Sequence, residues 1–226
     1  MTRTALVLLS LLGLAVTASG CQEAVSAPAA SATSASPLPF YADAAFTPHW
    51  FEAGEEVPAD FHAIPAFSLI DQGGRTVTEA DLDGKLTVAN FFFTACPGIC
   101  PMTTANMKRV QAAVADRDDV ILLSHSVTPE ADSVEALRAF ADRMGVLAER
   151  WHLVTGDRET IYDLGNGAYF ANEDLGEPAP DAAFIHTESF YLLDGDRRIR
   201  GIYNGMNTAA VTQLIDDIAT LQRSQG

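Results

Sequence analysis

The residues that could carry chemistry are concentrated in one short segment, 94–101 (TACPGICP), which contains two of the three cysteines. Cys96 and Cys100 are separated by three residues. Pro101 suits the first position of a helix, because its missing N–H would have no partner there. We therefore expect Cys100 at a helix N-terminus, where free backbone N–H groups and the helix dipole favour a thiolate. Such a pair could bind a thiophilic metal or, in an exported protein, close a disulfide.

A histidine further along the chain offers a third donor. Thioredoxin-type redox proteins use a two-residue spacer and place a proline just before a central strand, whereas this chain has Ile185-His186-Thr187 at that place. Thiolates select Cu(I), imidazole supports Cu(II), and two thiolates with one imidazole can hold either ion. Zinc normally takes a fourth ligand, and the sequence offers no obvious one. The residue types therefore favour copper, with a structural disulfide as the alternative.

The surrounding segments alternate between strand and helix patterns, which predicts an α/β fold. Continuous apolar runs indicate buried strands, and apolar positions at helical spacing indicate the helices. We expect Asp132 to cap the second helix. The order predicts a thioredoxin-like three-layer α/β/α sandwich with an N-terminal β-hairpin. The predicted strands are 86–93, 120–127 and 151–154, the helices 102–116, 132–144 and 157–168, the hairpins 66–77 and 189–203, and the last helix begins at Asn207 or Thr208.

With these motifs the sequence resembles the Sco/SenC family of copper proteins, which assist assembly of the binuclear copper centre of cytochrome c oxidase. The similarity extends from about Pro65 to the C-terminus. The resemblance implies that Cys96, Cys100 and His186 are the copper ligands. The matching stretches are 91–101 (FFFTACPGICP), 126–137 (SVTPEADSVEAL), 151–162 (WHLVTGDRETIY) and 186–205 (HTESFYLLDGDRRIRGIYNG).

The sequence departs from the family pattern at two positions beside the expected ligands. Gly98 stands where many relatives carry an aspartate, and Ile185 stands where some relatives carry one. Neither position is a primary ligand, so we expect copper binding to survive. The loss of negative charge there could change the relative affinity for the two copper oxidation states and the choice of partner.

The resemblance implies a copper chaperone, a binding protein without catalytic turnover. Its partner would be the copper-bearing subunit of cytochrome c oxidase or another copper chaperone. The main alternative is a thiol–disulfide oxidoreductase that uses Cys96 and Cys100 to reduce the copper-ligand cysteines of a client. A peroxide-reducing enzyme is a weaker alternative, because the arginine and threonine expected before Cys96 are not suitably placed.

The N-terminal region is typical of an exported lipoprotein. Residues 1–20 combine Arg3 with a short apolar run, too short to span a bilayer, and end in Ala18-Ser19-Gly20 before Cys21. We expect lipidation at Cys21, a flexible tether over 21–39 and a folded domain over 40–226. An ordinary cleaved signal peptide is the alternative. Either way the protein is exported, and the lipidated form would be anchored to a membrane, facing the periplasm or the cell exterior.

Composition excludes one class of function. The 226 residues carry 30 acidic and 14 basic side chains, a net charge of −16, and such a surface repels nucleic acids. Two further residues could affect the copper site. His125 is expected to be a structural histidine inside a strand, with an indirect role towards copper as the alternative. Met102, a soft donor beside Cys100, is expected to pack in the core.

Overall fold

The computed structural model describes residues 38–51, 55–96, 98–171, 185 and 187–225. Cys21 and His186 lie outside these ranges. The elements follow the order expected from the sequence. The strands are β1 (Ser68–Asp71), β2 (Thr76–Thr78), β3 (Leu86–Phe92), β4 (Val120–Ser126), β5 (Trp151–Thr155), β6 (Ser189–Leu193) and β7 (Ile199–Asn204), and the helices are α1 (Cys100–Ala113), α2 (Val134–Met144), α3 (Arg158–Asp163) and α4 (Thr208–Gln225).

The strands form one mixed sheet in the order β2-β1-β5-β4-β3-β6-β7. The three central strands, β5, β4 and β3, are parallel, and Phe92 at the end of β3 lies beside Ser126 at the end of β4. Strand β6 is antiparallel to β3, and β7 is antiparallel to β6. Strands β3, β4 and β7 therefore end at the same edge of the sheet, which we call the thiol edge because Cys96 and Cys100 follow β3 there.

Both faces of the sheet are buried, which explains the continuous apolar runs of its central strands. On one face, α1, α2 and α4 pack over a cluster that includes Val88, Leu122 and Phe190. On the other face, α3 and the segment before β1 cover a cluster that includes Ala89 and Leu123. Neighbouring residues of one strand thus face opposite layers, and the result is the expected α/β/α sandwich.

The segment before the sheet is attached at the edge opposite the thiols. Tyr41 forms a bridge with Ile199 at the start of β7. Arg200 donates hydrogen bonds to the carbonyl oxygens of Leu38 and Pro39, at 2.6 and 3.0 Å, and its guanidinium lies 3.7 Å from the centre of the Phe40 ring. The described chain therefore begins beside the β6–β7 turn.

Three local expectations from the sequence are corrected by the structure. Helix α1 has Cys100 at its N-terminus as expected, but its range of Cys100–Ala113 begins two residues before and ends three residues before the predicted 102–116. Helix α2 is capped by Ser133, whose hydroxyl accepts from the N–H of Ala136, and not by Asp132. The third predicted helix is a short α3 followed by one wider turn, Leu164–Ala168, with π-helical hydrogen bonding. Membrane-spanning helices are absent from the described part of the chain.

Candidate metal centre

The loop from β3 to α1 carries both thiols at the thiol edge. The loop begins after Phe92, whose carbonyl oxygen accepts the last hydrogen bond between β3 and β4, from the N–H of Val127 at 2.9 Å. The N–H of Cys96 then bonds to the carbonyl of Phe93 at 3.4 Å. Cys100 opens α1, and Pro101 occupies the first turn, where a missing N–H removes no helical bond.

The two thiols contact each other and are not linked by a disulfide. Cys100 is buried with 6% of its surface exposed, whereas Cys96 is half-buried. The Cys100 thiol forms a hydrogen bond with the sulfur of Cys96. The fold brings these two soft donors together as expected, and Cys96 is the more exposed residue of the pair.

The pKa values of the two thiols move in opposite directions. Burial acts to raise the pKa of Cys96, but hydrogen bonds from the Cys100 thiol and from the N–H groups of Cys100, Gly98 and Ile99 outweigh it and lower that pKa. Burial raises the pKa of Cys100 to about 12, and its contact with Cys96 adds to this. The favoured thiolate is therefore Cys96, and the expectation that the helix N-terminus favours a thiolate at Cys100 is wrong. The turn between the two cysteines directs the N–H groups of Gly98, Ile99 and Cys100 at the sulfur of Cys96, which precedes the helix.

An apolar cavity of about 290 Å³ opens onto both thiols. Apolar walls lower the local dielectric constant and so strengthen the interaction between a thiolate and a cation. The cavity is lined by Phe91, Phe92, Phe93, Cys96, Gly98, Ile99, Cys100, Val127, Ile185 and Thr187.

The residues on both sides of His186 line this cavity, although His186 itself lies outside the described residues. Ile185 is almost fully buried, with 3% of its surface exposed. It packs against Gly165 in the π-helical turn so closely that a Cβ at Gly165 would lie 2.3 Å from the Ile185 Cδ1. A larger residue at position 165 would therefore displace the Ile185 side chain, which lines the cavity beside the thiols.

Asp132 has a role near this loop that the sequence analysis missed. Its carboxylate is buried, with 1% exposure, and accepts hydrogen bonds from Thr94 in the thiol loop and from Ser126 and Thr128 at the end of β4. The sequence predicts a helix cap at Asp132 because Glu135 follows it at capping-box spacing. The only available signal for the other role was the cluster of hydroxyl residues on the two neighbouring segments.

His125 is fully buried in β4, as expected for a structural histidine. Its ring stacks on Phe91 at 5.0 Å, and its Nδ1 lies 3.3 Å from the carbonyl oxygen of Asn90. Met102, in contrast, is 49% exposed, so the expectation that it packs in the core is wrong. Among the described residues, no cluster of three or more His, Cys, Asp or Glu side chains could hold a metal.

Comparison with known proteins identifies relatives of the same architecture. The family described as SCO1/SenC matches residues 56–223. The "SCO1 protein homolog" of Bacillus subtilis (strain 168) is 31% identical over 163 residues, which cover 71% of this chain and 83% of the relative.

Two solved structures align over most of their own length. A SCO1/SenC family lipoprotein from Bacillus anthracis str. Ames has 31% identity and a TM-score of 0.63, covering 71% of this chain and 95% of that one. Bradyrhizobium japonicum ScoI with copper bound has 28% identity and a TM-score of 0.53, covering 68% and 97%. These neighbours confirm the expected thioredoxin-like fold. Since the family match covers most of the chain and includes the β3–α1 loop with its two thiols, this protein belongs to the SCO1/SenC family.

Proposed function

We propose that this protein is a copper chaperone that carries the ion on Cys96 and Cys100 and assists assembly of the copper centre of cytochrome c oxidase. The observation that carries the proposal is the pair of contacting cysteine sulfurs that line one apolar cavity. Cu(I) is a soft ion that prefers thiolates and tolerates low coordination numbers. Copper is the cargo, received and passed on by exchange of sulfur ligands.

The difference in pKa between the two thiols suits the binding and release of a copper ion. Cys96 is the favoured thiolate and the more exposed sulfur, so it would bind an arriving ion first. Cys100 is protonated in the absence of metal and would lose its proton as copper binds, because metal ligation requires the thiolate. Copper loading should therefore release a proton at the second sulfur.

His186 is proposed as the third ligand. Support comes from its two neighbours, since Ile185 and Thr187 line the same cavity as the thiols. An imidazole would add the harder donor that Cu(II) requires. The relative from Bradyrhizobium japonicum, solved with copper bound, is consistent with a copper site in this fold.

Copper titration tests the proposal. The purified, fully reduced protein should bind one Cu(I) per chain in competition with a chromophoric chelator. Cys96→Ser and Cys100→Ser should each abolish tight binding. Met102→Leu is the matched control, because it removes an exposed soft donor beside Cys100 and leaves both thiols unchanged. A parent protein that binds no Cu(I), or serine variants that bind as tightly as the parent, would refute the proposed cargo.

A second candidate function, thiol–disulfide exchange, is favoured by the same difference in pKa. The Cys96 thiolate would attack a client disulfide and form a mixed disulfide, and Cys100 would then displace the client. The client gains two electrons and two protons as a dithiol, and Cys96 and Cys100 become a disulfide. Rapid reduction of a model disulfide by a parent protein that fails to bind copper would favour this function over the first.

We also propose that Cys21 is lipidated and that the protein is anchored to a membrane. The sequence before Cys21 supports this, and the relative from Bacillus anthracis is described as a lipoprotein. Mass spectrometry of the mature N-terminus should find a lipid-modified Cys21, and Cys21→Ser should move the protein out of the membrane fraction. An unmodified N-terminus elsewhere would refute the anchor.

A further inference from the structure

We propose that Asp132 is a positioning residue for the copper site, acting through Thr94 to hold the thiol loop against the end of β4. The inference rests on the proposed function for its consequence and on the described geometry for its mechanism. Asp132 touches neither thiol in the described contacts, so its effect on Cys96 and Cys100 must pass through the loop.

The Asp132 carboxylate accepts hydrogen bonds from two segments that are far apart in the chain, the thiol loop and the end of β4. Its Oδ1 accepts from the Thr94 hydroxyl at 2.5 Å, and its Oδ2 accepts from the Thr94 N–H at 3.2 Å. The same Oδ2 accepts from the hydroxyls of Ser126 at 2.6 Å and Thr128 at 3.1 Å. Thr94 lies 38 residues before Asp132 in the chain, so this contact is entirely tertiary.

Four donors converge on one buried carboxylate, and this explains why an ionised aspartate suits the position. An ionised carboxylate only accepts hydrogen bonds and has about four sites for them. The Thr94 N–H can only donate, whereas the hydroxyls can donate or accept; the Ser126 oxygen also accepts from the N–H of Thr128, at 3.2 Å. A neutral amide could keep these contacts only by donating from its NH₂ group to the Thr94 hydroxyl, and the bonds it accepts would lose the strengthening that a carboxylate charge provides.

The hydrogen bonds of Asp132 to Thr94, Ser126 and Thr128, which we call the clamp, act close to the sulfur of Cys96. Thr94 is two residues before Cys96, and the N–H bond from Cys96 to Phe93 is a long one at 3.4 Å. With Thr94 held at both its N–H and its hydroxyl, the chain enters the turn that directs the N–H groups of Gly98, Ile99 and Cys100 at the Cys96 sulfur. Ligand sites gain affinity when supporting contacts fix the ligands before the metal arrives.

Three substitutions separate positioning from stability. Thr94→Val keeps the side-chain shape and the backbone N–H but removes the hydroxyl on the loop side of the clamp. Thr94→Ser restores that hydroxyl. Thr128→Val is the matched control, because it removes a hydroxyl from the same carboxylate on the β4 side, where Ser126 still holds Asp132 at 2.6 Å.

Two readouts are measured on the full protein and its variants. The first is the rate of Cys96 alkylation at neutral pH in the reduced, metal-free protein, followed by peptide mass spectrometry. The second is the affinity for Cu(I) in competition with a chromophoric chelator. Denaturant unfolding of each variant shows how far stability alone has changed.

Thr94→Val should slow Cys96 alkylation several-fold and weaken Cu(I) binding about tenfold. Thr94→Ser should recover most of both, and Thr128→Val should leave both near the parent values at a similar loss of stability. Equal effects of Thr94→Val and Thr128→Val, or none from Thr94→Val, would overturn the inference. If Thr94→Val fails to fold, Asp132→Asn is measured in its place against Thr128→Val with the same criteria. A parent that binds no copper would refute the proposed function, and the alkylation rates would still decide the role of Asp132.

Discussion

The Cys100 thiol donates a hydrogen bond to the sulfur of Cys96, and this contact adds to the difference in pKa that burial of Cys100 and the backbone N–H groups around Cys96 create. It stabilises a thiolate at Cys96 and helps to raise the pKa of Cys100 to about 12. An alkylating reagent at neutral pH should therefore modify Cys96 first, because the thiolate is the nucleophile. Peptide mass spectrometry after brief treatment should find the label on Cys96, at least tenfold over Cys100. Equal labelling of both residues would contradict the assignment.

The affinities for Cu(I) and for Cu(II) should depend differently on His186. Two thiolates suffice for Cu(I), so His186→Ala should keep most of the Cu(I) affinity and the ability to form the Cys96–Cys100 disulfide. Cu(II) needs a harder donor, and tight Cu(II) binding should be lost by a factor of ten or more. Titration with each ion and the absorption spectrum of the Cu(II) form provide the measurement. Unchanged Cu(II) affinity with an unchanged spectrum would show that another residue is the third ligand.

Gly165→Ala should disturb the wall of the cavity through Ile185. The new Cβ would lie 2.3 Å from the Ile185 Cδ1 and 3.3 Å from the Phe91 ring, so Ile185 must move. We expect a loss of about 1–3 kcal/mol in the free energy of unfolding, as for other overpacked positions, and weaker Cu(II) binding. Gly167→Ala is the control in the same turn, because its Cβ would meet nothing within 4 Å. Urea unfolding measures the free energy of unfolding of both variants. Equal values for Gly165→Ala and Gly167→Ala would contradict the close packing of Ile185 on Gly165.

Stability should fall in mild acid because of His125. Burial lowers the pKa of this histidine from 6.5 to about 4, so below pH 6.5 the unfolded chain binds a proton that the folded protein excludes. The stabilisation is complete above about pH 6.5 and is lost as the pH falls towards 4. A difference of this size corresponds to about 3 kcal/mol. His125→Leu should flatten the slope of stability against pH between 6.5 and 4.

The control for this titration is His49→Gln, since the side chain of His49 is 43% exposed. That variant should retain the slope of the parent protein. Denaturant unfolding at half-unit pH steps gives the comparison. If His125→Leu kept the full acid-dependent loss, the buried charge of His125 would not be its cause.

Local patterns were sufficient to predict most of the fold. The continuous apolar runs of β3 and β4 predicted strands buried on both faces, and both strands are fully buried. The turn sequence at 194–197 predicted the β6–β7 hairpin, which the structure confirms. These features depend on neighbouring residues, and so their signal is present in a short stretch of sequence.

Expectations that depended on distant partners were less successful. Asp132 has the spacing of a helix cap, but the hydroxyls of Thr94 and Ser126 satisfy it instead, and Ser133 takes the cap. The thiolate was expected at Cys100 because the sequence indicates where a helix begins, but not where the preceding turn directs its N–H groups. Likewise, nothing local to Met102 shows that its helical turn remains exposed.

The attachment of the N-terminal segment by Arg200 has a consequence for orientation. The carbonyls of Leu38 and Pro39 are held beside the β6–β7 turn, and β3 separates that point from the thiol edge by roughly 23 Å, at about 3.3 Å per residue over seven residues. The chain that precedes Leu38 therefore joins the folded domain at the end of the sheet farthest from Cys96 and Cys100, so a probe or tag placed before Leu38 would leave the approach to the two thiols open.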